Sequence, residues 1–215
     1  MTIQLNIASN KSLAQAENKI FFKQWLRSPG KLGTFAPISS KLANAAAEQI
    51  NVSDNPFVVE IGAGTGRLSR AILAKGVDPR RLAMVELDET LSAFLKESMN
   101  SAYQGNVKAN VINGDARKLK ELIPNDWVGK VDYVISAVPL MYMEEEVREQ
   151  IMQAALDILH PVKGVMLHVT YSPISPLRFM EGDLLSKRLV SLWNNMPPGF
   201  VWRFTPKRYL HQLSA

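Results

Sequence analysis

The ten residues 57–66, FVVEIGAGTG, restrict the fold more than any other stretch of the chain. Phe57, Val58 and Val59 form an apolar run that is interrupted by one acid, Glu60, and closed by Ile61, as in a parallel strand buried on both faces. Glycines at 62, 64 and 66 then let the chain turn sharply and bring bare backbone up to a ligand. A helix is expected immediately afterwards, over 67–75. Strand, glycine loop and helix in that order make one βα unit, and such units assemble into parallel sheets with helices on both faces.

The spacing departs from a dinucleotide site. G-x-G-x-x-G would need glycine where Arg67 stands, and here an acid lies inside the strand end. A carboxylate at Glu60 suits a ligand with positive charge near the loop better than a pyrophosphate. Twenty residues past Gly66 the short apolar run 82–86, LAMVE, ends on Glu86, where a ribose diol is held in folds of this kind. A cation beside a ribose is the chemistry of S-adenosylmethionine.

The alternation continues along the chain. Helices are expected over 41–50, capped by Ser39 and Ser40, and over 89–101 and 144–159; strands are expected over 107–112, 131–136 and 164–171. Segments 186–194 and 200–205 are strand-like and joined by NMPPG at 195–199, too tight for a helix, so the chain closes on a hairpin. The expected fold is α/β: a seven-stranded, mostly parallel, Rossmann-like sheet with a C-terminal antiparallel hairpin and its ligand at the carboxyl ends of the parallel strands.

At 215 residues and 47% hydrophobic content, one full core is expected. The absence of cysteine excludes disulfide scaffolds and thiolate metal sites and fits a reducing compartment. Residues 1–10 have neither the basic start nor the apolar run of a secretory leader, and no stretch approaches eighteen apolar residues, so no membrane crossing is expected.

Charge is unevenly placed. Residues 1–41 hold Lys11, Lys19, Lys23, Arg27, Lys31 and Lys41 against Glu17 alone, and residues 184–215 hold five cations and no acid, which leaves the middle acidic. Two basic ends on an acidic body suit a polyanion, either an anionic lipid surface or nucleic acid, and composition does not separate the two. Residues 11–27 can form a helix that gathers Phe21, Phe22, Trp25 and Leu26 on one side, bordered by Lys19, Lys23 and Arg27. Rings at the headgroup boundary with cations on phosphates make an interfacial helix; the same rings could instead pack on the domain. The expected division is an amphipathic membrane-interaction segment and cofactor lid over 1–38, followed by the catalytic domain over 39–215.

Three motifs in order, E-I-G-A-G-T-G at 60–66, V-E-L-D at 85–88 and N-G-D-A at 113–116, resemble those of class I S-adenosylmethionine-dependent methyltransferases. In that family the acid of the third motif accepts a hydrogen bond from the adenine amino group, which falls on Asp115. The resemblance implies cofactor contacts from Glu60, Gly62, Ala63, Gly64, Glu86, Leu87, Asp115, Ala116 and Ser136, with S-adenosylhomocysteine as product and no metal. Enzymes that methylate a base amine place Asn or Asp and an aromatic ring in the loop after the fourth strand. Here Ser136 and Leu140 stand at those positions, which disfavours a planar nucleobase.

Four further stretches, SPGKLGTFAP at 28–37, SAVPL at 136–140, TYSP at 170–173 and NMPPGFVW at 195–202, are similar to the soluble bacterial phospholipid N-methyltransferases. Those enzymes convert phosphatidylethanolamine stepwise to phosphatidylcholine; where Met196 and Gly199 stand, the family commonly has Leu and Ala. This resemblance implies a cytoplasmic enzyme held peripherally on the inner face of the cell membrane and no nucleic-acid partner. It adds Gly33 and Thr34 to the cofactor site, gives catalytic roles to Ser136 and Tyr171, and places the lipid amine against Ala137, Val138, Pro139, Leu140, Tyr142 and Tyr171. Small-molecule amine methylation and rRNA adenine methylation remain the alternatives. Tyr171 could equally be a strand-end ring packed on Pro173. His160 and His168 read as structural, and Glu144, Glu145 and Glu146 as the acidic first turn of a helix.

Overall fold

The computed structural model describes residues 38–102, 110–175 and 184–207. The expectations for the amphipathic helix (Lys19, Phe21, Phe22, Lys23, Trp25, Leu26, Arg27) and for Gly33 and Thr34 lie outside the described residues. Within them the chain runs α1 (Ser40–Ala47), β1 (Val58–Ile61), α2 (Arg67–Lys75), β2 (Leu82–Glu86), α3 (Glu89–Ala102), β3 (Asn110–Asn113), α4 (Leu119–Leu122), β4 (Tyr133–Ser136), α5 (Glu145–Ile158), β5 (Val165–Thr170), β6 (Leu184–Leu192) and β7 (Gly199–Pro206). The seven strands form one sheet in the order β3-β2-β1-β4-β5-β7-β6. Strand β7 is antiparallel to both of its neighbours, so the closing hairpin inserts its second strand between β5 and β6.

Alternation along the strands divides the core. Val59 and Ile61 of β1 join Val134, Met152, Ala155 and Ile158 on the α5 face, whereas Val58 joins Leu42, Ala46, Leu68 and Ile72 on the face covered by α1 and α2. Each such fully buried aliphatic side chain is worth roughly 1.5–3 kcal/mol relative to exposure. All four residues of β1 and all five of β2 are buried, which is why both read as apolar runs broken only by Glu60 and closed by Glu86.

The first helix begins at Ser40, one residue earlier than expected, with Ser39 alone as its cap: Ser39 Oγ accepts the Leu42 amide hydrogen at 3.1 Å. It ends at Ala47, three residues before the expected boundary. Strand β4 begins at Tyr133, two residues late; Val131 makes only an isolated bridge to Leu159. Asp132 is diverted to other work, its Oδ2 accepting the Phe57 amide at 2.9 Å and its Oδ1 pairing with Lys163 at 2.8 Å.

Gly66 caps α2 at its amino end with φ +85°, and a Cβ there would run into the Leu95 side chain and lie 3.0 Å from Met99. Both left-handed backbone and close packing against α3 require glycine. Gly66→Ala is expected to lower stability by about 1–3 kcal/mol, read as a reduced urea midpoint with unchanged slope.

Candidate active site

Beyond the carboxyl ends of the strands lies a cleft that holds about 930 Å³ of space, part of it open solvent. It sits where the strand order reverses, since β1 leads outward to β2 on one side and has β4 on the other. The loop after β1 makes its floor. The amides of Gly62 and Ala63 both donate to the Val85 carbonyl, at 2.9 and 3.2 Å. Gly62 has φ +72°, and a Cβ there would lie 2.5 Å from Val138 Cγ1, so the loops after β1 and β4 meet face to face. Gly64, at φ +55°, has nothing nearer to its Cβ position than the Gly62 carbonyl at 4.0 Å, so backbone alone borders that part of the cleft.

Glu86 closes β2 and ties the floor together. Its Oε2 accepts the Gly64 amide at 2.7 Å and its Oε1 the Asp88 amide at 2.9 Å. Burial pushes its carboxyl above the ordinary range, while those two amides oppose the shift. Behind it, the Glu86 carbonyl accepts from the Gly114 amide and the Asn113 side chain, both at 3.0 Å, which locks the loop after β3 in place. Asp115 in that loop pairs with Arg117 at 2.5 Å, and this contact holds its carboxyl below the usual range.

Gly62, Ala63, Gly64, Glu86, Leu87, Asp115, Ala116, Ala137, Val138 and Pro139 thus line one cleft. Five other expected site residues do not. Glu60 is fully buried on the opposite face of β1 from Ile61, where it accepts a hydrogen bond from Ser69 Oγ of α2 at 2.5 Å. Burial raises its carboxyl to about 8, so at neutral pH it carries mostly a proton and offers the cleft no charge. Ser136 is buried with its hydroxyl unpartnered among the described residues, and Leu140 is buried in the α5-side core. Tyr142 is 80% exposed and outside the lining.

Tyr171 packs against the α1 side of the core, and its hydroxyl accepts the Ser39 amide hydrogen at 3.1 Å. It therefore fixes the entry to α1 and is absent from the residues that line the cleft. His168 is buried, and burial lowers its imidazole to about 3, which leaves it neutral. Glu145 and Glu146 form the first turn of α5, with Glu144 at the cap.

The cleft also has walls that motif reading passed over. Arg67, the first residue of α2, lines it and donates from Nη1 to the Ile38 carbonyl at 2.8 Å, and Ile38 itself lines the same cleft. Its position directly after the glycine loop was the available signal. Met143 and Ile151 complete the wall beside Pro139, but their apolar spacing is indistinguishable from that of core residues.

The sequence pattern of the family described as "Ribosomal RNA adenine dimethylase" matches residues 37–157. An ornithine lipid N-methyltransferase of Singulisphaera acidiphila is 23% identical over 179 residues, 83% of this chain and 91% of that protein. A probable ribosomal RNA small subunit methyltransferase A of Methanococcoides burtonii is 26% identical over 77% of this chain, but the match spans only 59% of that protein. Among solved structures, magnesium protoporphyrin IX methyltransferase from Synechocystis, with S-adenosylmethionine bound, superposes with a TM-score of 0.60 at 10% identity, covering 89% of this chain and 97% of that one. A TehB-like methyltransferase from Corynebacterium glutamicum gives 0.56 at 16% identity, covering 90% and 100%.

Glu60 supplies a test of the buried acid. Its folded pKa lies above the unfolded value of 4.5, so between about pH 4.5 and 8 the unfolded chain releases a proton that the folded chain keeps. Stability should fall as pH rises through that window, with a slope of at most about 1.4 kcal/mol per pH unit from this group. Denaturant titrations at pH 5 and pH 8 should show Glu60→Gln losing less stability between the two than the parent.

Proposed function

The chain belongs to the ribosomal RNA adenine dimethylase family and is an S-adenosylmethionine-dependent methyltransferase, and on that premise we propose that its acceptor is the aliphatic amine of a membrane lipid headgroup. Phosphatidylethanolamine, methylated stepwise towards phosphatidylcholine, is the acceptor this reading favours. The observation that carries it is the make-up of the cleft: no aromatic ring and no side-chain amide stands among its described lining residues. A base amine would need a ring to stack on and an amide to accept its hydrogens. Ala137, Val138, Pro139 and Met143 instead make a narrow aliphatic wall, suited to a small tetrahedral nitrogen. The lipid-directed relative, matched along most of both chains, supports the same reading.

The cleft suits the cofactor on its own terms. A glycine loop bordering it with bare backbone, a carboxylate at the end of β2 and a second after β3 match an amino-acid moiety, a ribose diol and an adenine amino group. We assign these to Gly62–Gly64, to Glu86 with Leu87, and to Asp115 with Ala116. The bound cofactor supplies an electrophilic methyl group on a sulfonium.

The chain's own contribution is desolvation and placement. An alkyl ammonium has a pKa of about 10.4, so exposing its lone pair near pH 7 costs roughly 4–5 kcal/mol. The aliphatic wall excludes water and lowers that cost. Backbone carbonyls of the 137–139 loop orient the amine, and holding the reacting atoms in line contributes about 7–11 kcal/mol. A strong general base is unnecessary under those conditions, consistent with buried, neutral His168 and with a Ser136 hydroxyl turned into the core. A lipid substrate also implies peripheral membrane attachment; no helix among the described residues is long and apolar enough to cross a bilayer.

Family membership favours a second reading, methylation of an rRNA adenine. Radiolabelled S-adenosylmethionine incubated with phosphatidylethanolamine vesicles or with ribosomal RNA separates the two. Label is expected in the lipid, and label in the RNA alone would overturn the lipid reading. Glu86→Ala should weaken cofactor binding at least about tenfold, since it removes a carboxylate and frees the Gly64 and Asp88 amides; an unaltered dissociation constant in calorimetry would remove Glu86 from the site.

A further inference from the structure

Exposed large apolar side chains are unevenly distributed among the described residues. Leu87, Met141, Tyr142, Ile174, Trp193 and Met196 follow the carboxyl ends of β2, β4, β5 and β6, at the edge where the cleft opens; only Val162 and Leu185 lie at the other edge. The hairpin tip belongs to the cleft edge because Phe200, at the start of β7, pairs with Thr170 at the end of β5, and Leu192 pairs with Gly199. The rim has two halves that differ in charge. Leu87, Met141 and Tyr142 are flanked in sequence by Asp88, Glu89 and Glu144–Glu146, whereas Ile174, Trp193 and Met196 have the Arg188 guanidinium beside them and no acid within three residues in sequence among the described residues.

In the basic half, Ile174 is 51%, Trp193 69% and Met196 95% exposed. Arg188 joins the two loops that carry them: its Nη1 donates to the Pro173 carbonyl at 3.4 Å, and its guanidinium lies 5.7 Å from the Phe200 ring, against which Trp193 packs edge-on at 5.5 Å. The tip is braced from beneath. Buried Asn195 donates from Nδ2 to the Pro197 carbonyl at 2.5 Å and accepts from Ser39 Oγ at 2.5 Å. Ser39 follows Ile38, which lines the cleft, and precedes exposed Lys41 by two residues. A rigid apolar tip with cations beside it therefore stands at the mouth of the site.

We propose that Ile174, Trp193 and Met196 form a bilayer-docking surface that enters the headgroup boundary of an anionic membrane, with Arg188 and Lys41 against lipid phosphates, and turns the cleft mouth towards the headgroups. Charge selects this occupant: Arg188 and Lys41 beside the tip complement anionic lipid, and an indole beside aliphatic side chains suits the interface between water and acyl chains. Single-stranded nucleic acid would call for successive rings to stack on, and this patch exposes one. The proposal rests on the lipid reading of the acceptor, and it gives that reading an orientation on the membrane.

The test uses the full chain, with mixed phosphatidylethanolamine and phosphatidylglycerol vesicles as probe. Met196→Asp, at a side chain with almost no packing to lose, and Trp193→Ser combined with Met196→Ser should each weaken co-sedimentation at least about tenfold. Cofactor affinity and the thermal midpoint of Met196→Asp should match the parent. Brominated lipid should quench parent fluorescence more than that of the Trp193→Ser variant. Parental sedimentation by both variants overturns the proposal. So does a loss confined to RNA retention, which would make the patch a nucleic-acid surface, or a change confined to oligomeric state, which would make it a contact between copies. Tip-dependent sedimentation without methyl transfer to phosphatidylethanolamine would sink the acceptor reading and leave the docking surface standing. Lipid methylation with tip-independent sedimentation would do the reverse.

Discussion

A single carboxylate holds the working edge of this protein in shape. Glu86 accepts the amides of Gly64 and Asp88, so the loops after β1 and β2 share one anchor, and its own carbonyl receives Gly114 and Asn113 from the loop after β3. Three loops from three adjacent strands thereby depend on one residue. Hydrogen bonds to a charged acceptor are worth more than neutral ones, and at a largely buried position the alternative is unsatisfied amides. The same carboxylate borders the cleft, so the group that organises the loops is also the group a ligand would meet.

Strand alternation decides which polar side chains reach that cleft. In β1, Ile61 lines it while its neighbour Glu60 turns to α2 and the Ser69 hydroxyl. Without solvent or a cation, Glu60 is held as the neutral acid. In β4, Ser136 alternates with Ile135 onto the α5 side that Val134 faces and is buried, and the cleft is met instead by Ala137, Val138, Pro139 and Met143. The described cleft thus has its carboxylates at or just after strand ends, its one guanidinium at the start of α2, and an aliphatic wall in the loop after β4. That division puts the carboxylates on one side of the cleft and the aliphatic wall on the other.

A second polar knot sits at the entrance to α1. Ser39 gives its amide to Tyr171 and its hydroxyl to Asn195, while Arg67 holds the neighbouring Ile38 carbonyl. Four elements distant in sequence meet there: the start of α1, the start of α2, the end of β5 and the β6–β7 turn. This knot ties the cleft wall, α1 and the hairpin tip to one another.

Much of this was legible in the chain itself. Apolar runs ending in acids or glycine located β1 and β2, βα alternation implied a parallel sheet, and the tight NMPPG turn implied the closing hairpin, since each signal is local and its period identifies the element. Glycine spacing and the two strand-end acids Glu86 and Asp115 pointed to residues that do meet in one cleft. Side-chain direction was a different matter. Glu60, Ser136, Leu140 and Tyr171 lie within or beside the right motifs, yet they face helices, core or the α1 entry, because facing depends on register and on which helix covers which side of the sheet. Arg67 and Ile38 entered the cleft, and Trp193 and Met196 came to the rim, through contacts between residues far apart in sequence. Motifs record which backbone turns where, whereas access to solvent or ligand is a property of packing, and only the assembled sheet decided it.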